Sequence, residues 1–102
     1  MDNRLGDIDI FLTAARTGSF AAAAKSLRLT PSAVSRSVAR LEKRLGVVLL
    51  RRTTRSLALT SEGQVYRDRM SALLAEMEDV ESGLGRALQG PRGLLRINAS
   101  VP

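Results

Sequence analysis

Residues 19–45, SFAAAAKSLRLTPSAVSRSVARLEKRL, constrain this chain more than any other stretch. They contain two helical segments separated by three residues. Ser19 is placed to cap the first, and Phe20, Ala23, Ala24 and Leu27 give it an apolar stripe. Arg28-Leu29-Thr30 makes the turn. Thr30 is a natural N-cap, and Pro31 suits the first helical position, where a missing N–H costs nothing. Val34, Val38, Leu41 and Leu45 then recur at spacings of four, three and four, which is one helical face. A short helix, a tight turn and a second amphipathic helix make a helix-turn-helix. Leu29 is apolar where a turn is normally polar, so it is expected to be buried beneath the pair and to fix their angle.

The opposite face of the second helix carries Ser32, Ser35, Arg36, Arg40 and Lys43, one turn apart. Small hydroxyls near a helix N-terminus can reach base edges in a major groove, and cations further along can reach phosphates. A solvated basic surface gives the same pattern, and the preceding helix and turn favour the groove reading. Charge supports it. Residues 25–55 hold nine cations and one anion, Glu42, whereas the rest of the chain holds seven cations and nine anions. A local surplus of this size implies a polyanionic partner. Aromatic residues are only 3% of the 102, which argues against readers that stack unpaired bases. No strongly apolar, aromatic face accompanies the charge, so a membrane surface is disfavoured. The chain has neither cysteine nor histidine, which removes disulfides, thiol chemistry, ordinary zinc sites and the usual general base. No enzymatic activity, no cofactor and a cytoplasmic location are expected.

The flanks complete the pattern. Residues 5–17 predict a first helix with a stripe at Leu5, Ile8, Leu12 and Ala15, and Gly18 ends it. Phe11 and Phe20 are expected in the core. After Gly46, residues 47–52 and 56–60 read as two short strands around a turn at Thr53-Thr54-Arg55. Arg52, Thr54 and Arg55 lie at or near the tip of this wing. An arginine there either follows a narrow minor groove or neutralises phosphates. Thr60 can cap a proline-free helix over 61–89, in which Tyr66, Met70, Leu73, Met77, Val80, Leu84 and Ala87 repeat with heptad spacing. At roughly 43 Å, such a helix has more seam than a small domain can cover, so a second copy is the expected partner. Gly83 and Gly85 each cost about 1 kcal/mol relative to alanine, so the far end should fray or bend. Gly90-Pro91-Arg92-Gly93 reads as a hinge, and 94–100 as the start of a strand. The expected fold is mainly α: a winged helix-turn-helix of three helices and a two-stranded wing over 1–60, a long dimerisation helix over 61–89, and a hinge and first strand over 90–102.

The ordered set Phe11, Gly18-Ser19-Phe20, Ala23-Ala24, Leu27, Thr30-Pro31-Ser32-Ala33-Val34-Ser35-Arg36, Leu41-Glu42, Leu45-Gly46, Leu49, Arg52, Arg55, Leu59-Thr60 and Gly63 resembles the N-terminal part of LysR-type transcriptional regulators. The tail from Gly93 to Ile97 resembles the first strand of that family's effector-binding domain. The resemblance implies a dimer or tetramer joined through the long helix and bound to a double-stranded operator. RNA polymerase is a further candidate partner, and a small-molecule inducer would bind the family's effector domain, which is expected to be missing here. DNA contacts are implied at Pro31, Ser32, Ser35, Arg36 and Arg55, beside the candidates Thr30, Arg40, Lys43, Arg52 and Thr54. Two departures stand out. Many members carry glutamine at the position of Pro31, and glutamine or histidine at that of Ser37. Pro31 offers only apolar contact, such as a thymine methyl, so base-specific hydrogen bonding falls on Ser32, Ser35 and Arg36. Arg36 either forks onto guanine or clamps a phosphate. A competing reading makes the chain an interaction module that docks an acidic protein; binding to duplex DNA at low salt separates the two.

Overall fold

Three helices form around one buried ring. In the computed structural model, which describes residues 3–54 and 56–89 (only the backbone of 87–89), the elements run α1 (Arg4–Thr17), α2 (Phe20–Leu27), α3 (Pro31–Leu45), β1 (Leu50–Arg52), β2 (Leu57–Leu59) and α4 (Ser61–Gln89). Phe11, Leu41, Leu49 and Val34 are the largest fully buried side chains. Ile8, Ala14, Ala23, Ala24, Val38 and Leu50 complete the core. The chain divides into two compact units, Met1–Met70 and Ser71–Pro102. The division lies inside α4 and not at its start, because the Tyr66 ring packs on Phe11, with centroids 5.7 Å apart.

The caps follow the sequence closely. The Ser19 hydroxyl accepts from the Ala22 N–H at 2.9 Å, and the Thr30 hydroxyl from the Ala33 N–H at 3.1 Å. Gly18 and Gly46 close α1 and α3 in the left-handed region, at φ 81° and 75°. The turn between α2 and α3 is closed by Arg28, also left-handed at φ 59°. The N–H groups of Arg28 and Leu29 bond back to Lys25 and Ala24. This is the Schellman arrangement, and it satisfies carbonyls that the helix end would leave open. The backbone therefore fixes the turn without help from the Leu29 side chain. Contrary to the sequence expectation, Leu29 is 41% exposed.

The α1 stripe also differs. Asp7, Ile8, Phe11, Thr13 and Ala14 are buried, while Leu5 is 57% exposed. Helix α1 touches α2, α3 and β2, so it is covered over an arc wider than one stripe. Phe20, expected in the core, is only half-buried.

The wing strands are shorter than predicted. They pair antiparallel with Leu50 opposite Leu59 and Arg52 opposite Leu57. Residues 47–49 are not strand, because their segment is held by a side chain. The Glu42 carboxylate accepts the N–H groups of Leu49 at 2.7 Å and Leu50 at 3.1 Å. Thr60 ties the other end. Its hydroxyl donates to the Val48 carbonyl at 2.6 Å and accepts from the Gly63 N–H at 2.9 Å, capping α4. A Cβ on Gly63 would collide with the Leu49 backbone carbonyl, so only glycine lets the first turn of α4 approach this closely.

In the second unit, α4 continues as helix past Gly83 and Gly85 to Gln89. The glycines stand among good helix formers such as Arg86, which favour propagation. The predicted hinge and strand over 90–102 lie outside the described residues.

Candidate nucleic-acid interface

Helix α3 presents Pro31, Ser32, Arg36 and Lys43 exposed and Ser35 half-buried, while Val34, Val38 and Leu41 face inward. The division follows from periodicity: the apolar residues claim one side and the cations are left with the other. Ser32, Ser35 and Arg36 line a concavity of about 340 Å3 together with Phe20, Pro31 and Arg52. The helix and the wing therefore meet at one surface. Arg52, Thr54, Ser19, Thr53, Ser56 and Leu57 line an adjoining shallow depression. The tip end of the wing, where Leu57 pairs with Arg52, is anchored there by the Leu57 N–H, which donates to the Gly18 carbonyl at 3.0 Å. Thr30 is exposed at the head of α3, and its oxygen is occupied by the cap to Ala33. Lys43 lies further along α3, outside both hollows. The candidate at Arg55 lies outside the described residues.

Arg40 is placed differently from its neighbours. Its Nε and one terminal nitrogen fork onto the Asp7 carboxylate at 3.0 and 2.9 Å. The same nitrogen reaches the Ser37 hydroxyl at 3.1 Å. The hydrogen bonding to Asp7, and then the charge of Asp7, hold the Arg40 guanidinium above its ordinary pKa. Asp7 is 5% exposed and Ser37 6%. Arg40 thus braces α3 to α1: its side chain stays 59% exposed on the cationic face, but its guanidinium is paired with the buried Asp7 carboxylate. The buried Ser37 hydroxyl takes part in that brace.

Three features escaped the sequence reading. Glu42, the one anion of the basic window, holds the segment entering β1. Its signal was its place on the α3 wheel, beside the apolar stripe. Asp7 neighbours Ile8 on a face that proves buried, but nothing in the sequence paired it with a residue 33 positions away. Phe20 meets Arg52, whose guanidinium carbon lies 5.0 Å from the ring centroid. Only the fold brings the first residue of α2 under the last residue of β1.

Within α4, Leu73, Met77, Val80 and Leu84 are 56%, 41%, 59% and 61% exposed. Met70 is half-buried, and Tyr66 is engaged with Phe11. The first seam position is therefore used within the chain, which the heptad reading did not anticipate. Among the described residues no helix is long and apolar enough to cross a membrane.

Residues 5–64 match the family model described as a bacterial regulatory helix-turn-helix protein of the lysR family. The chain is 47% identical over 96 residues to an HTH-type transcriptional regulator of Xanthomonas campestris pv. campestris strain 8004, covering 94% of this chain and 28% of that protein. It is 43% identical over 96 residues to the HTH-type transcriptional regulator CrgA of Neisseria meningitidis serogroup C strain 8013, covering 94% of this chain and 32% of CrgA. The chain thus spans about a third or less of the length of these relatives. Among solved structures, the BenM_DBD/catB site 1 DNA complex superposes with a TM-score of 0.81 at 28% identity, over 89% of this chain and 99% of that one.

Proposed function

This chain belongs to the lysR family of bacterial regulatory helix-turn-helix proteins, and from that premise we propose that it binds double-stranded DNA sequence-specifically and thereby regulates transcription. The observation that carries the reading is the shared concavity: hydroxyls and Arg36 of α3 open onto the same surface as Arg52 of the wing. A helix seated in a major groove would turn Ser32, Ser35 and Arg36 to base edges. Lys43 and Arg52 would then meet phosphates on either side. The similar BenM domain was solved in complex with DNA, which supports the same assignment here. The activity is binding, with no catalytic step and no cofactor required for it.

Arg36→Ala tests the assignment. Affinity for a selected binding sequence, measured by fluorescence anisotropy, should fall by about 1–3 kcal/mol, with discrimination relaxed at one base pair. Equal loss on every sequence would move Arg36 from base to backbone.

The chain acts as a homodimer in this reading. Leu73, Met77, Val80 and Leu84 repeat with heptad spacing and stand exposed. Another copy of the same seam is self-complementary under twofold symmetry. Full burial of such a side chain contributes about 1.5–3 kcal/mol, and twofold symmetry doubles every substitution. Leu73→Glu with Val80→Glu should weaken self-association by about 100-fold or more, read by sedimentation equilibrium. An unchanged mass would remove the seam from the interface.

A further inference from the structure

The structure fixes two arginines near α3 in opposite ways. Arg40 is forked by the Asp7 carboxylate, which cancels its charge. Arg52 makes no ion pair among the described residues. Its guanidinium lies over the Phe20 ring instead. An aromatic face attracts a guanidinium through its quadrupole. Unlike a carboxylate, it leaves the positive charge unneutralised. The placement matters because Arg52 is exposed at the end of a three-residue strand, where a long side chain would otherwise sample many rotamers. Phe20 is also only half-buried, at the start of α2, and lines the concavity beside Ser32, Ser35 and Arg36.

We propose that Phe20 is a positioning residue for DNA binding: its ring holds Arg52 at the rim of the concavity, so that the wing cation and Arg36 engage one continuous segment of DNA. The idea rests on the function proposed above. It assigns a role to an aromatic residue that sequence reasoning places in the core. Preorganising Arg52 removes the ordering cost that binding would otherwise incur.

The test is a double-mutant cycle of Phe20→Leu and Arg52→Ala. Binding to a labelled random-sequence duplex of about 30 base pairs is measured across a salt series. No operator is needed, because a phosphate contact is read on any duplex. Arg52→Ala should weaken binding and lower the salt slope by about one for each chain bound. Phe20→Leu should weaken it about two- to fivefold, and should have no further effect once Arg52 is alanine. Phe20→Tyr keeps the ring face and should bind like the unaltered chain. Thermal midpoints are recorded for every variant. Should leucine lower its own, Phe20→Met replaces it, keeping volume without a π face. Losses that simply add in the double variant overturn the proposal, as does a Phe20→Leu variant that binds like the parent while Arg52→Ala does not. If the unaltered chain leaves duplex DNA unbound, the parent function falls and this proposal with it. If it binds and the losses add, only this proposal falls.

Discussion

Glu42→Ala should lower the stability of the winged domain by about 3 kcal/mol or more, from two hydrogen bonds to a charged acceptor at about 1.5–3 kcal/mol each. The Glu42 carboxylate takes the N–H groups of Leu49 and Leu50, and Leu49 is wholly buried. Alanine leaves both donors without that partner, one of them on a core residue. Small domains are stable by only about 5–15 kcal/mol, so the loss is a large share of the total. In thermal unfolding it corresponds to a fall of about 12 °C or more for a domain of this size. Glu42→Gln keeps a carbonyl oxygen of similar reach and loses only the charge, so it should sit between alanine and the parent. The same change reaches the proposed DNA-binding surface, because residues 49 and 50 lead directly into β1 and Arg52. An alanine variant that melts with the parent would show that the wing is held by its strand pairing and not by Glu42.

The second large effect is the response to salt. If Lys43, Arg52 and Arg55 each neutralise one phosphate in both copies of a dimer, six counterions are released. The slope of log affinity against log salt is then about −5, and affinity falls roughly 1,000-fold between 50 and 200 mM salt. Individual cations should not count equally. Lys43→Ala should reduce the slope by about one for each chain bound. Arg40→Gln should leave it nearly unchanged and instead lower the thermal midpoint, because Arg40 is matched by Asp7 at 2.9 Å. Asp7 is nearly inaccessible to water, and removing its partner strands a buried carboxylate. A salt-independent affinity would rule out phosphate neutralisation and with it the DNA-binding reading. A drop in slope with Arg40→Gln would return Arg40 to the interface.

What the sequence determined by itself is what short-range chemistry decides. Ser19 and Thr30 cap their helices through bonds to residues three positions on. Gly18 and Gly46 adopt the left-handed conformation that helix ends favour. Val34, Val38 and Leu41 are buried because helical periodicity puts them on one face. The order of elements and the family resemblance followed from the same local signals. The tertiary structure alone decided which partners meet across long separations. Asp7 takes Arg40 from 33 residues away, Phe20 lies under Arg52, and Tyr66 turns to Phe11. It also left Leu29 at the surface. The physical reason is that a side chain's burial and charge partner are set by whichever elements pack against its own. Periodicity gives the face a residue occupies, but not what arrives to cover it. On α3, Arg36 and Arg40 look alike in the sequence, and only the packing of α1 distinguishes them.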